Sequence, residues 1–418
     1  MLKTIHQNNK LNYFLIFSLI VLSAVPETTF AFDNLYIKRG IKLVVISIFL
    51  FYSTMRFLYV KQKLFWDEIL MILFVSLSLF SSIVINSKTS ILNFANPFEI
   101  ISVYIGISSL YVFLKEKVQV DFLPFFLKGY LFLVLTHLIF IVGYSYEVFF
   151  DYLGQNNFSL EALTSFSWKT LGINYNPNQV GYIMLVGLMI IYVYFFSNSF
   201  FRKIELIFLF FAIFFISFIM ILSFSRGAVF SFILFFICAL FFYYKNGGFT
   251  KLKKEIIYLL VFFLFSLIFF ASSGLLYNFS MKFQLGTNGR LDFWIAFLKD
   301  QFAIFPDKHF WWGYGFTSKV NLVDKHYSLH NLYLSLWGRY GLGAMIIVLI
   351  NFLYLLKKNY TEGKNKFIFI IPVIYLFYGL FETKIIVDNI NLIALFFWFM
   401  ILLPIRGLAF EGIKSKIS

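Results

Sequence analysis

Long apolar runs broken by short polar stretches dominate this chain. Runs of bilayer-crossing length, or nearly so, lie near 11–31, 40–60, 68–86, 97–114, 122–144, 179–198, 206–224, 227–244, 256–274, 334–356, 367–383 and 389–405. About 20 apolar residues in a helix cover the 30 Å hydrocarbon core. The pattern therefore predicts an all-α polytopic membrane protein with about twelve transmembrane helices, a single integral membrane domain over 1–418. The first run is followed by "VPETTF", a poor cleavage site, and reads as a retained span. Two longer gaps interrupt the runs, 145–178 and 275–333. In the second, "TNG" is a turn, and Arg290 to Gln301 suits a helix with Leu291, Trp294, Ile295 and Leu298 on one face. "WWGYGF" is a glycine-aromatic loop. "HYSLHNLYLSLWGRYGLGAMIIVLI" reads as an amphipathic helix that runs into the tenth span or breaks at Gly341.

Composition agrees. The chain is 61% hydrophobic, 23% aromatic and 13% charged, too few charges to cover a soluble core of 418 residues. The net charge of +15 would suit nucleic acid, but the placement of Lys and Arg assigns it to topology. Twenty fall at one set of ends: Lys3 and Lys10, then the clusters in 56–63, 115–117, 202–203, 245–254, 357–366 and 406–416. Six fall at the short opposite ends: Lys38, Arg39, Lys88, Lys169, Arg226 and Lys384. This asymmetry predicts that both termini are cytoplasmic, that 145–178 lies outside, and that 275–333 is the main external segment. One cysteine, Cys238, leaves no intrachain disulfide.

One residue resists this pattern. In "MILSFSRGAVFSFI", Arg226 is the only charge between Glu205 and Lys245. At mid-bilayer it would cost about 3 kcal/mol or more. The run from Leu206 to Tyr244, about 58 Å as helix, is long enough to cross twice. Its midpoint, Ser225-Arg226-Gly227, is then a tight turn at the outer surface, where the cost is small.

The "SRG" turn, the external "GR…W…P…GYG" and the "HNLYLSLWGRYGLGA" that leads back into the membrane together resemble the O-antigen ligase and O-antigen polymerase superfamily, over roughly 170–345. The resemblance implies a GT-C-like fold in the bacterial inner membrane and a periplasmic active site. It implies transfer of a glycan from an undecaprenyl-pyrophosphate carrier to an acceptor hydroxyl, with no metal and no cofactor. Arg226, Arg290 and His330 carry over as the catalytic residues. The ligase pattern after His-Asn ends in two glycines three apart; here Gly341 is followed by Gly343, with Ala344 in the second place.

The chemistry fits those residue types. Breaking a sugar–pyrophosphate bond builds negative charge on the bridging oxygen. Guanidinium groups are permanently charged and bind phosphate oxygens bidentately, so two of them at the membrane surface stabilise that charge without a metal. A histidine titrates near working pH and can take the proton of the attacking hydroxyl. There is no HExxH, no His/Cys cluster and no phosphate-loop spacing.

Around these three stand candidate substrate contacts. Asn331 follows His330, and His326 lies one turn earlier if the helix reaches back that far. Trp294, like Trp311, Trp312 and Trp337, suits sugar stacking or an interfacial aromatic belt. Arg339 suits a phosphate or a headgroup. Asn178, in "NYNPNQVG", suits a helix cap or the rim of the site. His309 and Asp324 read as solvated loop residues, and His137 as an intramembrane polar group. Abundant Phe, Ile, Lys, Asn and Tyr hint at an AT-rich gene, which with Ala344 favours a polymerase of O-antigen or capsule repeat units. The alternatives are the ligase that delivers glycan to lipid A-core, and a lipid-linked oligosaccharide flippase. Expected partners are the lipid-linked glycan, the acceptor glycan or lipid A-core, the bilayer and a chain-length regulator protein, with no nucleic acid.

Overall fold

The computed structural model describes residues 35–85, 91–117, 127–136, 177–197, 203–223, 225–245, 290–305, 307–314, 320–322, 325–327, 331–362, 366–381, 392–403 and a few isolated positions. The first and ninth runs, near 11–31 and 256–274, lie outside them, as do His137, Asp324 and His330.

The described chain is mostly helical, and the helices follow the apolar runs. In order they are α1 (Leu35–Met55), α2 (Trp66–Phe80), α3 (Ile91–Lys117), α4 (Leu127–Thr136), α5 (Pro177–Ser197), α6 (Lys203–Leu222), α7 (Arg226–Lys245), α8 (Arg290–Ala303), α9 (Lys308–Trp312), α10 (Leu332–Glu362), α11 (Lys366–Tyr378) and α12 (Leu392–Leu402). Both α1 and α2 continue as a wider π turn, Arg56–Val60 and Ser81–Ile85. Three described stretches are long and apolar enough to cross a membrane: Lys42–Val60, Trp66–Val84 and Leu332–Thr361. Large apolar side chains remain exposed on outward faces, such as Phe51, Leu58, Phe211 and Leu353, as lipid-facing surfaces require. The protein is a helical membrane protein. The all-α expectation needs one correction: Val320–Leu322 (β1) and Lys325–Tyr327 (β2) form a short antiparallel hairpin, with Asn321 opposite His326.

The chain divides into two compact units, Met1–Phe126 with Gly289–Ser418, and Leu127–Asn288. In the first, α1 packs on α3, α2 on α3 and α10, and α12 on α3, α10 and α11. Aromatic edges fill the seams, Phe74 on Tyr340 at 5.3 Å and Tyr104 on Trp398 at 5.0 Å. In the second unit α5 is the centre. It is apolar all round, its residues from Val180 to Val193 are buried, and α6 and α7 pack against it.

Candidate functional site

In the second unit, α6 ends at Leu222 and α7 begins at Arg226. The turn therefore runs from Ser223 to Ser225, two residues earlier than the sequence suggests, and Arg226 already opens a helix. The serines explain the geometry. Ser223 Oγ donates to the Met220 carbonyl at 2.6 Å and accepts from Ser225 N–H at 3.3 Å. Ser225 caps α7, its Oγ accepting from Ala228 N–H at 3.4 Å and its carbonyl from Val229 N–H at 3.1 Å. Arg226 is half-buried. The start of α5 lies against this turn: a Cβ on Gly181 would meet Ser225 Cβ at 2.5 Å and Ser223 Oγ at 2.6 Å. Asn178 sits one turn before Gly181, just after Pro177 at the first helical position, where proline is favoured. The fold thus brings the Asn178 helix end and the Arg226 turn together.

In the first unit Arg290 is the first residue of α8, matching the expected helix. Trp294, on that helix, is partly buried against an aromatic core of Phe297, Phe310 and Trp337. Trp337 is central to it. Its ring meets Phe297, Phe302 and Phe310 edge-on at 5.3–5.9 Å, and its Nε1 donates to the Phe310 carbonyl at 3.1 Å. Trp337 is therefore a core residue, neither a sugar platform nor part of an interfacial belt. Trp312 packs on Phe80 at 4.9 Å, and its carbonyl accepts from Ser81 Oγ, while Trp311 stays exposed. His309 is more than a solvated loop residue. Its ring stacks on Tyr314 at 4.6 Å, and its Nδ1 lies 3.2 Å from the Gly313 carbonyl. Burial, and the charges of Asp307 and Asp300, raise the Tyr314 hydroxyl above its ordinary pKa.

The two glycine motifs form one unit. Gly341 breaks α10 with φ 86° and ψ 168°, and Gly313 ends α9 with φ 70° and ψ −172°. Their backbones interlock: a Cβ on Gly341 would collide with Trp311 and with Trp312 Cα at 2.5 Å, and one on Gly313 with Gly341 N at 2.5 Å. Tyr314 N–H donates to the Gly338 carbonyl at 2.8 Å. Arg339, half-buried, lies between the anchored positions. Ala344, in place of the second glycine, is buried.

The helix after "HN" starts at Leu332, so it does not reach back to His326, which sits on β2. Asn331 is its cap. Oδ1 accepts from Leu334 N–H at 3.1 Å, and Nδ2 donates to the Leu380 carbonyl at 3.1 Å, beyond α11. Both ends of the amide serve the fold, and the residue is 5% exposed. Asn331→Ala should cost about 1–2 kcal/mol for the cap, seen as a lower melting temperature in detergent. Asn331→Asp, which keeps the acceptor, should lose less. A raised KM with unchanged melting would instead make Asn331 a substrate contact.

The best-defined charged site is one the sequence reading passed over. Arg56, Asp67 and Glu68 are 0% exposed and Arg406 is 3%. Glu68 accepts from Arg56 through both oxygens, at 2.5 and 3.0 Å, and reaches back to Phe65 N–H at 2.8 Å. Asp67 accepts from Arg406 Nη1 at 3.1 Å, from Arg406 Nη2, and from the Tyr104 hydroxyl at 2.7 Å. Ser108 accepts from Arg406 Nε at 2.7 Å and donates to Glu68. The Phe65 ring lies against both guanidiniums, 4.8 Å from Arg56 and 3.8 Å from Arg406. Arg56 and Arg406 are therefore not free surface charges; without them the basic asymmetry is still 18 to 6. Each carboxylate is engaged with an arginine of its own, Glu68 with Arg56 and Asp67 with Arg406, which makes this a clamp rather than a binding site. It lies at the start of α2. The Ser81 contact to Trp312 lies at the other end, about 20 Å away along the helix.

Among the described residues no group of three or more His, Cys, Asp and Glu could hold a metal ion. Compared with known protein families and with curated proteins, the chain matches no family model and no curated protein.

Proposed function

We propose that the protein is a periplasmic-face glycosyltransferase that joins undecaprenyl-pyrophosphate-linked oligosaccharide repeat units, as an O-antigen or capsule polymerase of the O-antigen ligase and polymerase superfamily. On this reading the chain has twelve spans, a GT-C-like fold and cytoplasmic termini. One observation carries it: Arg226 and Arg290 each occupy the first residue of a helix. A helix N-terminus is already positive, and a cation there is disfavoured by about 0.3–1 kcal/mol. Two such arginines, each at the positive end of a helix, suit a polyanion such as a pyrophosphate.

In the reaction the acceptor hydroxyl attacks the sugar C1 as the C1–O bond to phosphate breaks. His330 takes the hydroxyl proton, and the arginines hold the departing polyprenyl pyrophosphate. The test is purified protein in liposomes with an undecaprenyl-pyrophosphate-linked repeat unit and lipid A-core as a competing acceptor. A ladder of longer lipid-linked chains is expected. Unextended donor, or transfer to lipid A-core alone, contradicts the polymerase reading, and the second outcome makes the protein a ligase.

A further inference from the structure

The clamp joins residues made at very different times. Arg56 and Glu68 are 12 positions apart, whereas Asp67 and Arg406 are 339 apart. The first pair can close once α1 and α2 lie side by side. Tyr104 reaches Asp67 when α3 arrives, but a neutral hydroxyl does not balance a carboxylate. The balancing charge comes with Arg406, beyond α12.

We propose that Arg406 is a closing latch for the first unit: until it docks, Asp67 holds the end of α2 open to water, and its docking seals that end. The reason is electrostatic. A lone carboxylate is not buried, because its hydration is lost with no compensating charge. Asp67 is 0% exposed in the folded protein, so the state that buries it is the state that contains Arg406. The latch also holds in place what covers it. Arg406 Nε bonds Ser108 of α3, its guanidinium faces the Phe65 ring, and its Nη2 lies 3.7 Å from Glu68. Alongside it, α12 is tied to α3 and α10, by Tyr111 donating to the Phe399 carbonyl at 3.1 Å and by Asn359 donating to the Ile401 carbonyl at 2.6 Å. These are neutral bonds that do not balance Asp67.

The test reads water access and accumulation in membranes. Ser109, 3.4 Å from Arg56 Nη1, is fully buried and serves as the probe position. In a Cys238→Ser, Ser109→Cys background, maleimide labelling of the full chain should be slow. Arg406→Ala, or a chain ended after Leu403, should label at least tenfold faster and accumulate less. Adding Asp67→Asn to either should restore slow labelling and accumulation, since a neutral amide tolerates burial beside Tyr104. If Arg406→Ala does not accumulate, recovery by Asp67→Asn is itself the expected result. Wild-type labelling and accumulation in Arg406→Ala, or an equal loss with and without Asp67→Asn, would overturn the latch.

Discussion

Arg226→Lys is expected to lower the rate of glycan transfer by two or more orders of magnitude while leaving insertion and membrane level unchanged. Lysine keeps the charge and the reach to headgroups but loses the planar fork that grips two phosphate oxygens. A loss of about 3 kcal/mol in transition-state stabilisation corresponds to roughly 100-fold or more. The position sharpens the contrast. Ser225 caps the helix whichever cation follows it, so the turn should form in both proteins. If Arg226 only anchors the turn to lipid headgroups, lysine should serve equally and the rate should hold. Arg290→Lys should behave alike, and His330→Ala should abolish transfer while sparing donor binding.

Gly341→Ala should destabilise the first unit by roughly 2–6 kcal/mol, combining a Gly-only backbone region with a backbone collision. The site of Gly341 offers no relief, because the atoms in the way are the main chain of Trp311 and Trp312 rather than a movable side chain. The expected readout is a large drop in melting temperature, with cleavage by protease between Ala303 and Lys325. Gly343→Ala is the control. A Cβ there would come no closer than 4.0 Å to the Trp311 carbonyl oxygen, so it should be near neutral. Equal behaviour of the two variants would remove the interlock from the account.

The elements were legible where a local pattern sets them. The apolar period gave α8 from Arg290, the run near 179–198 gave α5, and the double-length run from Leu206 gave α6 and α7. The features hidden in the sequence depend on pairing across long separations. "WWGYG" and "WGRYG" each read as a glycine motif, but nothing local says that Gly313 and Gly341 meet. Arg56 and Arg406 read as cytoplasmic charges because both follow apolar runs. The signal against that reading was "WDEIL", two acids opening an apolar run that needed cations of their own. The period of "LHNLYLSLW", extended backwards past the Asn331 cap, would put His326 on a helix; in "VNLVDKHY" only Val320 to Leu322 alternate, too short a pattern to announce the hairpin. Of the candidate site, the helix-opening position of Arg290 follows from local sequence, whereas Arg226 reads as part of a turn and opens α7 instead. The meeting of Arg226 with Arg290 and His330 belongs to the proposal, since Arg226 lies in one unit, Arg290 in the other, and His330 outside the described residues.

The measurement that bears most directly on the central claim is stoichiometric. Purified protein in liposomes, supplied with an undecaprenyl-pyrophosphate-linked repeat unit in the presence of EDTA, should release one undecaprenyl pyrophosphate for every glycosidic linkage formed. Donor that crosses the bilayer intact with no linkage made, or linkage that stops in EDTA and returns with magnesium or manganese, would contradict it.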